Sequence, residues 1–256
     1  MRVTPRPGTA ILVAVAYIAL VSAVWVVNGV DYSTIGGTVG STVGGLVVPV
    51  ALGAVLLAAV TTRLGWWRPV LREEPRVGPR WLLVVPVLFV LVAVGTVSGA
   101  DLSRLSPAHV LLLAVGVLLV GFSEELLCRG IVLVGLRGTG SEVVAWLGSC
   151  LVFGLLHAVN ALFGAPVGGT AVQVLAAFLA GSVFYVTRRV TGVLVACMVM
   201  HAFWDFGTLA AGAAPAADPS ALGLLAVLQY PAVVLALVGV VLLVRRPVDR
   251  PAPRVA

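Results

Sequence analysis

Two adjacent glutamates, Glu124 and Glu125, stand inside a long apolar run, and Arg129 follows one helical turn later. A segment that crosses a bilayer carries an ionisable side chain at a cost of roughly 2.5–3.5 kcal/mol each on insertion scales. Two carboxylates and a guanidinium in one run therefore mark a candidate site. Glu125 and Arg129 are four apart and share a helix face, in the acid-before-base order that favours an ion pair. Glu124 is turned about 100° away from Glu125, so one arginine does not readily neutralise both. A buried charge cluster that fixes helix packing would account for Glu125 and Arg129. It leaves Glu124 as a desolvated carboxyl with no partner in its own helix, which suits a general base.

Later apolar runs supply possible partners. Phe153 and His157 are four apart in one, and His201 and Asp205 are four apart in another. Taken singly, each has a plain structural reading: a core histidine bonded to a backbone carbonyl, and a mutually satisfied polar pair between helices. Depth argues for more. Counted at 1.5 Å per residue from the expected cytoplasmic ends, Glu124 lies roughly 18 Å in, His157 roughly 23 Å and His201 roughly 15 Å. Three helices then carry titratable groups into one slab near mid-membrane. A carboxylate with two imidazoles is a ligand set for catalytic zinc or another divalent metal (Glu124, His157 and His201). It equally suits a water-activating base with oxyanion partners.

The elements that must position these residues are membrane helices. The chain of 256 residues is 61% hydrophobic and 10% charged, with a mean hydropathy of +1.14; a soluble domain could not cover itself with so few charges. The fold class expected is all-α: a polytopic bundle of about eight spans. They run Ala10–Val30, Val39–Thr61, Trp81–Ser98, His109–Leu136, Glu142–Phe163, Ala171–Thr187, Thr191–Ala211 and Leu222–Val244, with Pro231 expected to kink the last. All 16 basic residues are arginines. With the amino terminus inside, Arg2, Arg6, Arg63, Arg68, Arg72, Arg76, Arg80, Arg137, Arg188, Arg189, Arg245, Arg246, Arg250 and Arg254 fall on the cytoplasmic side. Only Arg104 falls opposite, beside Asp31, Asp101 and Asp218. That partition predicts both termini inside an inner membrane, which the alanine-, valine- and arginine-rich, lysine-free composition suggests is bacterial, and it argues against nucleic acid as a partner of the +6 charge.

Three regions are expected: 1–105 as amino-terminal spans and a cytoplasmic loop, 106–212 as the core that carries the motifs, and 213–256 as a last span and a basic tail. Between Arg63 and Arg80 the simplest reading is a solvated loop drawn to anionic lipid, with Trp66, Trp67 and Trp81 as interfacial anchors. Cys128, Cys150 and Cys197 read as unpaired thiols in apolar runs. His109 reads as interfacial, Trp204 and Phe206 as packing or interfacial aromatics, and Asn160 as a residue that could line the cavity.

Glu124-Glu125-x-x-x-Arg129, Phe153-x-x-x-His157 and His201-x-x-x-Asp205, in this order and in separate spans, resemble the three motifs of the CAAX protease and bacteriocin-processing (CPBP, or Abi) intramembrane proteases. The resemblance covers roughly Ser106 to Gly212. It implies an intramembrane endopeptidase acting on a membrane-associated protein or peptide beside the lipid bilayer. Glu124 would activate water and His157 would help position it. His201 and Asp205 would stabilise the oxyanion or bind a metal, with Glu125, Arg129 and Phe153 in support. The prenyl-protein branch of that family has Asn where this chain has Asp205, and an ionised Asp donates no hydrogen bond. Asp205 is then protonated, orients His201, or tips the site towards a metal. The competing class of function is a membrane scaffold that regulates a partner protein and uses the same cluster only for packing.

Overall fold

The computed structural model describes residues 3–73, 76–218 and 220–245. It contains eight helices long and apolar enough to cross a membrane: α1 (Pro7–Val27), α2 (Val39–Leu64), α3 (Arg80–Val97), α4 (Pro107–Thr139), α5 (Glu142–Phe163), α6 (Val167–Thr191), α7 (Leu194–Ala213) and α8 (Ala221–Leu243). Among the described residues there is no strand beyond two isolated bridges, Arg72 with Val193 and Ala100 with Pro215. The chain is an all-helical integral membrane protein. Each helix meets its expected span to within a few residues. Arg2, Arg246, Arg250 and Arg254 of the charge partition lie outside the described residues.

Local chemistry sets the helix ends and their irregularities. Pro107 sits in the first turn of α4, where a missing N–H leaves nothing unpaired, and the Ser106 hydroxyl accepts from the His109 amide at 3.2 Å. Ser141 caps α5 in the same way, accepting from the Val144 amide at 3.3 Å. In α2 the turn at Val43–Val47 is π-helical, just before Pro49. Proline has no N–H to offer the carbonyl of Gly45, four residues back, and the Trp25 indole of α1 donates to that oxygen instead, at 2.8 Å. In α8 the 3-10 turns of Ala221–Leu228 give way to α-helix at Gln229, two residues before Pro231.

The bundle is built around α4, which packs on α7, while α5 packs on α6, and α3 lies against both α7 and α8. Gly121 is what lets α4 and α7 meet: a Cβ there would stand 2.4 Å from the Met198 carbonyl oxygen. Small residues at such crossings bring backbones together where lipid supplies no hydrophobic drive. Three residues later α4 presents Glu124, so this crossing sets how far the glutamates stand from α7.

Three expectations are corrected. The segment after α2 is not a solvated loop. Trp66 is fully buried, its indole donating to the Val3 carbonyl at 2.8 Å, and a short helix, Trp67–Leu71, carries the buried Val70 against the core. Glu73 anchors the segment. Its carboxylate meets Arg137 at 2.9 Å, Arg188 at 3.0 Å and Arg189 at 2.6 Å. Glu142 joins them, 2.7 Å from Arg137, 2.5 Å from Arg189 and 2.9 Å from the Tyr185 hydroxyl. Arg188 and Arg189, which hydropathy assigns to a loop, are therefore buried in α6; a guanidinium tolerates this when acceptors meet its donors, here Glu73 and the carbonyls of Arg129 and Pro69 for Arg188, and Glu73 and Glu142 for Arg189. Burial pushes the Glu73 carboxyl up, but the three guanidinium groups outweigh it and hold it at about 2. His109 is likewise buried and not interfacial, because Nε2 bonds the Gly36 carbonyl at 2.9 Å and tethers the α1–α2 loop to α4.

Candidate active site

Three helices, α4, α5 and α7, deliver the candidate residues, and α6 packs against them. After Glu125 the winding of α4 changes, and Leu126–Val132 is π-helical. The wider turn frees the Arg129 carbonyl, which accepts a hydrogen bond from Arg188 Nη1. Wide turns of this kind recur at functional sites because they re-aim side chains without breaking the helix. Arg129 itself is fully buried and points back to Glu125 Oε1 at 2.9 Å, so the pair expected from the spacing is present.

Glu125 does more than hold Arg129. The same oxygen lies 3.1 Å from His201 Nδ1, so one carboxylate joins α4 to α7. A carboxylate oxygen only accepts, which puts the Nδ1 proton on His201 and turns Nε2 towards Asp205, whose Oδ2 is 3.4 Å away. Guanidinium, carboxylate, imidazole and second carboxylate thus form a line: Arg129, Glu125, His201, Asp205.

Phe153 organises the remainder. The Arg129 guanidinium carbon sits 3.9 Å from its ring centroid. His157 and His201 both meet Phe153 nearly perpendicularly, at 5.4 and 5.5 Å. Phe184 of α6 stacks on His201 from another side at 5.1 Å. The ring faces take the cation, as their quadrupole favours, and fix both imidazole planes. Gly181 on α6 leaves room for the guanidinium, since a Cβ there would stand 3.1 Å from Arg129 Nη2.

His157 begins the last, 3-10 turn of α5, and its Nδ1 lies 2.9 Å from the Phe153 carbonyl. A carbonyl only accepts, so Nδ1 carries the hydrogen, and in the neutral ring Nε2 keeps its lone pair. Glu124 is part-exposed, and its Oε2 has no hydrogen-bond partner among the described residues. Asp205 is within electrostatic reach of His201, Glu124, His157 and Glu125. The structure therefore gathers all seven residues singled out in the sequence: six through direct contacts, and Glu124 through proximity alone.

Other side chains carried little or no signal in the sequence. Phe184 sits in an unbroken apolar run. Tyr17 of α1 and Tyr32 of the α1–α2 loop both come within electrostatic reach of Glu124, from a region the motifs do not touch. Asn160 is buried and donates to Gln173 Oε1 at 3.0 Å. The three thiols are buried and unpaired, with Cys128 and Cys150 beside Arg129.

As a metal cage the donor set is poor. Among the described residues no group of three or more His, Cys, Asp or Glu side chains is arranged to hold an ion. Both His201 nitrogens already face carboxylate oxygens.

Residues 106–207, the stretch that spans every one of these motifs, match the family model described as type II CAAX prenyl endopeptidase, Rce1-like. Over this stretch the chain is similar to the CAAX protease family. Searches of curated proteins and of solved structures gave no match. The CAAX protease match begins at Ser106, the cap of α4, and ends at Gly207 of α7, two residues beyond Asp205. It covers less than half of the chain, and α1–α3 and α8 lie outside it.

Proposed function

We propose that this chain is an intramembrane endopeptidase that hydrolyses a peptide bond in a membrane-associated protein or peptide, with Glu124 as the base, and that it works in a bacterial inner membrane. The observation that carries this reading is the contrast between the paired glutamates. Glu125 is committed to Arg129 and His201, while Glu124 keeps an oxygen with no hydrogen-bond partner among the described residues.

In the proposed reaction Glu124 takes a proton from a water molecule, and the hydroxide attacks the scissile carbonyl carbon. The carbonyl electron pair moves to oxygen and gives an oxyanion. His157 Nε2, with its lone pair free, accepts a hydrogen bond from the attacking water and orients it. The His201 ring, fixed by Glu125 and Phe184, presents its Nε2 edge beside Asp205, where a hydrogen on that nitrogen can be shared with the oxyanion. As the intermediate collapses the C–N bond breaks. Glu124 returns its proton to the leaving amine, the proton of the new carboxyl group passes to the same amine, and a carboxylate and an ammonium depart. Because the donors do not form a metal-ligand set as arranged, no step is assigned to a metal.

The test is a Glu124→Gln variant, which keeps shape and loses the base. Comparing the peptide termini generated in membranes that carry wild-type or variant protein should reveal cleavages that only the wild type makes. Identical termini from the two, with both proteins inserted at equal levels, would sink the reading in favour of a scaffold.

A further inference from the structure

Asp205 leaves a gap in the proposed reaction. An ionised carboxylate beside a developing oxyanion donates nothing to it, and transition states of acyl transfer are served by hydrogen-bond donors aimed at that oxygen. A donor is available from outside the matched core. Tyr32, in the short turn Tyr32–Thr34 between α1 and α2, is held by a directed chain: Asn160 Nδ2 donates to Gln173 Oε1 at 3.0 Å, and Gln173 Nε2 donates to the Tyr32 hydroxyl at 3.0 Å. The phenol oxygen is the acceptor in its contact with Gln173, so its own hydrogen is left for another acceptor. The ring is braced by Trp25 at 5.8 Å, which in turn meets Phe163 edge-on at 5.1 Å. Asn160, the start of the directed chain, lies in the same 3-10 stretch as His157, and Tyr32 is within electrostatic reach of Glu124 and Asp205.

We propose that the Tyr32 hydroxyl donates a hydrogen bond to the scissile carbonyl oxygen and stabilises the oxyanion, with Gln173 and Asn160 as positioning residues. This rests on the catalytic reading above. The phenol keeps its proton throughout. As hydroxide adds to the carbonyl carbon, the hydrogen bond to oxygen shortens, and it relaxes when the electron pair re-forms the carbonyl and the amine leaves. Burial raises the Tyr32 phenol above its ordinary value, which keeps the donor protonated through the neutral range. The amino-terminal helices are then part of the active site.

The experiment uses the full-length protein in liposomes and a peptide whose cleavage is lost in Glu124→Gln. Tyr32→Phe keeps the ring and its contact with Trp25 and removes only the O–H. We expect kcat to fall about 100-fold, the usual cost of one oxyanion donor, with KM little changed. Gln173→Leu should cost less, and the double variant should be no slower than Tyr32→Phe, because Gln173 acts through the phenol. Wild-type kcat in Tyr32→Phe, or fully additive losses, would overturn the proposal. If Tyr32→Phe does not fold, 3-fluorotyrosine at position 32 keeps every hydrogen bond and makes the phenol more acidic. The alkaline limb of the pH–kcat profile should then move down, and an unmoved limb overturns the proposal. A normal Tyr32→Phe on such a peptide refutes this inference alone, whereas finding no peptide whose cleavage is lost in Glu124→Gln refutes it together with the catalytic reading.

Discussion

Two buried charge clusters occupy this bundle, and they are finished differently. At one end, Glu73 and Glu142 face Arg137, Arg188 and Arg189, and each carboxylate oxygen is bonded, most of them more than once. Further in, Glu124, Glu125 and Arg129 leave Oε2 of both glutamates and two guanidinium nitrogens without hydrogen-bond partners among the described residues. Desolvated charge is costly unless it is fully paired. The first cluster closes that account and holds helices together. The second leaves it open, and the unmet valences collect around one part-exposed carboxylate, Glu124. Open valences in a buried site are where a substrate or a water can bind.

If that contrast is functional, substitutions in the two clusters should separate activity from stability. The largest effect belongs to Glu124→Gln: loss of general-base catalysis, on the order of 10²–10⁴-fold in kcat, with the thermal midpoint almost unmoved because no ion pair is broken. A large drop in midpoint would assign Glu124 to the structural class.

Glu73→Ala should do the reverse. Removing the carboxylate takes the buried Arg188 off its carboxylate and leaves Glu142 to face Arg137 and Arg189 by itself, and breaking a buried pair in this way costs roughly 3–5 kcal/mol. Cleavage per folded molecule should persist at low temperature. The cluster also predicts an acid response. A carboxyl held at about 2, against an ordinary value near 4.5, contributes stability that is fully present above the ordinary value and is lost as pH falls from there towards 2. Thermal midpoints in detergent should decline over that window in the wild type and flatten in Glu73→Gln; equal slopes would remove Glu73 from the account.

How much of this could be read in the chain depended on how local the cause was. A bilayer imposes some twenty apolar residues on every span, so all eight helices were legible. The Glu125–Arg129 pair was legible too, because four residues of helix suffice to make it. The second partner of Glu125 was not: His201 lies 76 residues away, and only the α4–α7 crossing at Gly121 brings it in. Glu73, Arg188 and Arg189 misled for a related reason. Charges near span ends read as solvated, and burial becomes tolerable only once five side chains from separate segments meet. Tyr32 and Gln173 gave no signal, since a lone tyrosine in a loop and a lone glutamine in a helix have no spacing to reveal them.

Phe153 tests whether the open cluster depends on aromatic positioning. Phe153→Leu keeps the site apolar but removes the face under Arg129 and the edge contacts to His157 and His201, worth about 0.5–1.5 kcal/mol each. A loss of one to two such contacts in the transition state corresponds to roughly a 10-fold fall in kcat. The midpoint should drop less than in Glu73→Ala. A kcat unchanged at lowered stability would move Phe153 into the structural group.

The smallest expected effect is none, and it bears on Asp205. A metal mechanism would need a lone pair from His201, but Nδ1 faces Glu125 and Nε2 faces Asp205, so the ring would have to turn and give up both carboxylates and its stacking on Phe184. Such a rearrangement loses several contacts at once, whereas the glutamate-and-water route uses the ring where it stands. Prolonged treatment with EDTA or 1,10-phenanthroline should therefore leave the cleavage rate unchanged, and added zinc should not raise it. Activity lost to the chelator and restored by zinc would mean that His201 turns when an ion enters. The line from Arg129 to Asp205 would then be a resting arrangement that the metal displaces.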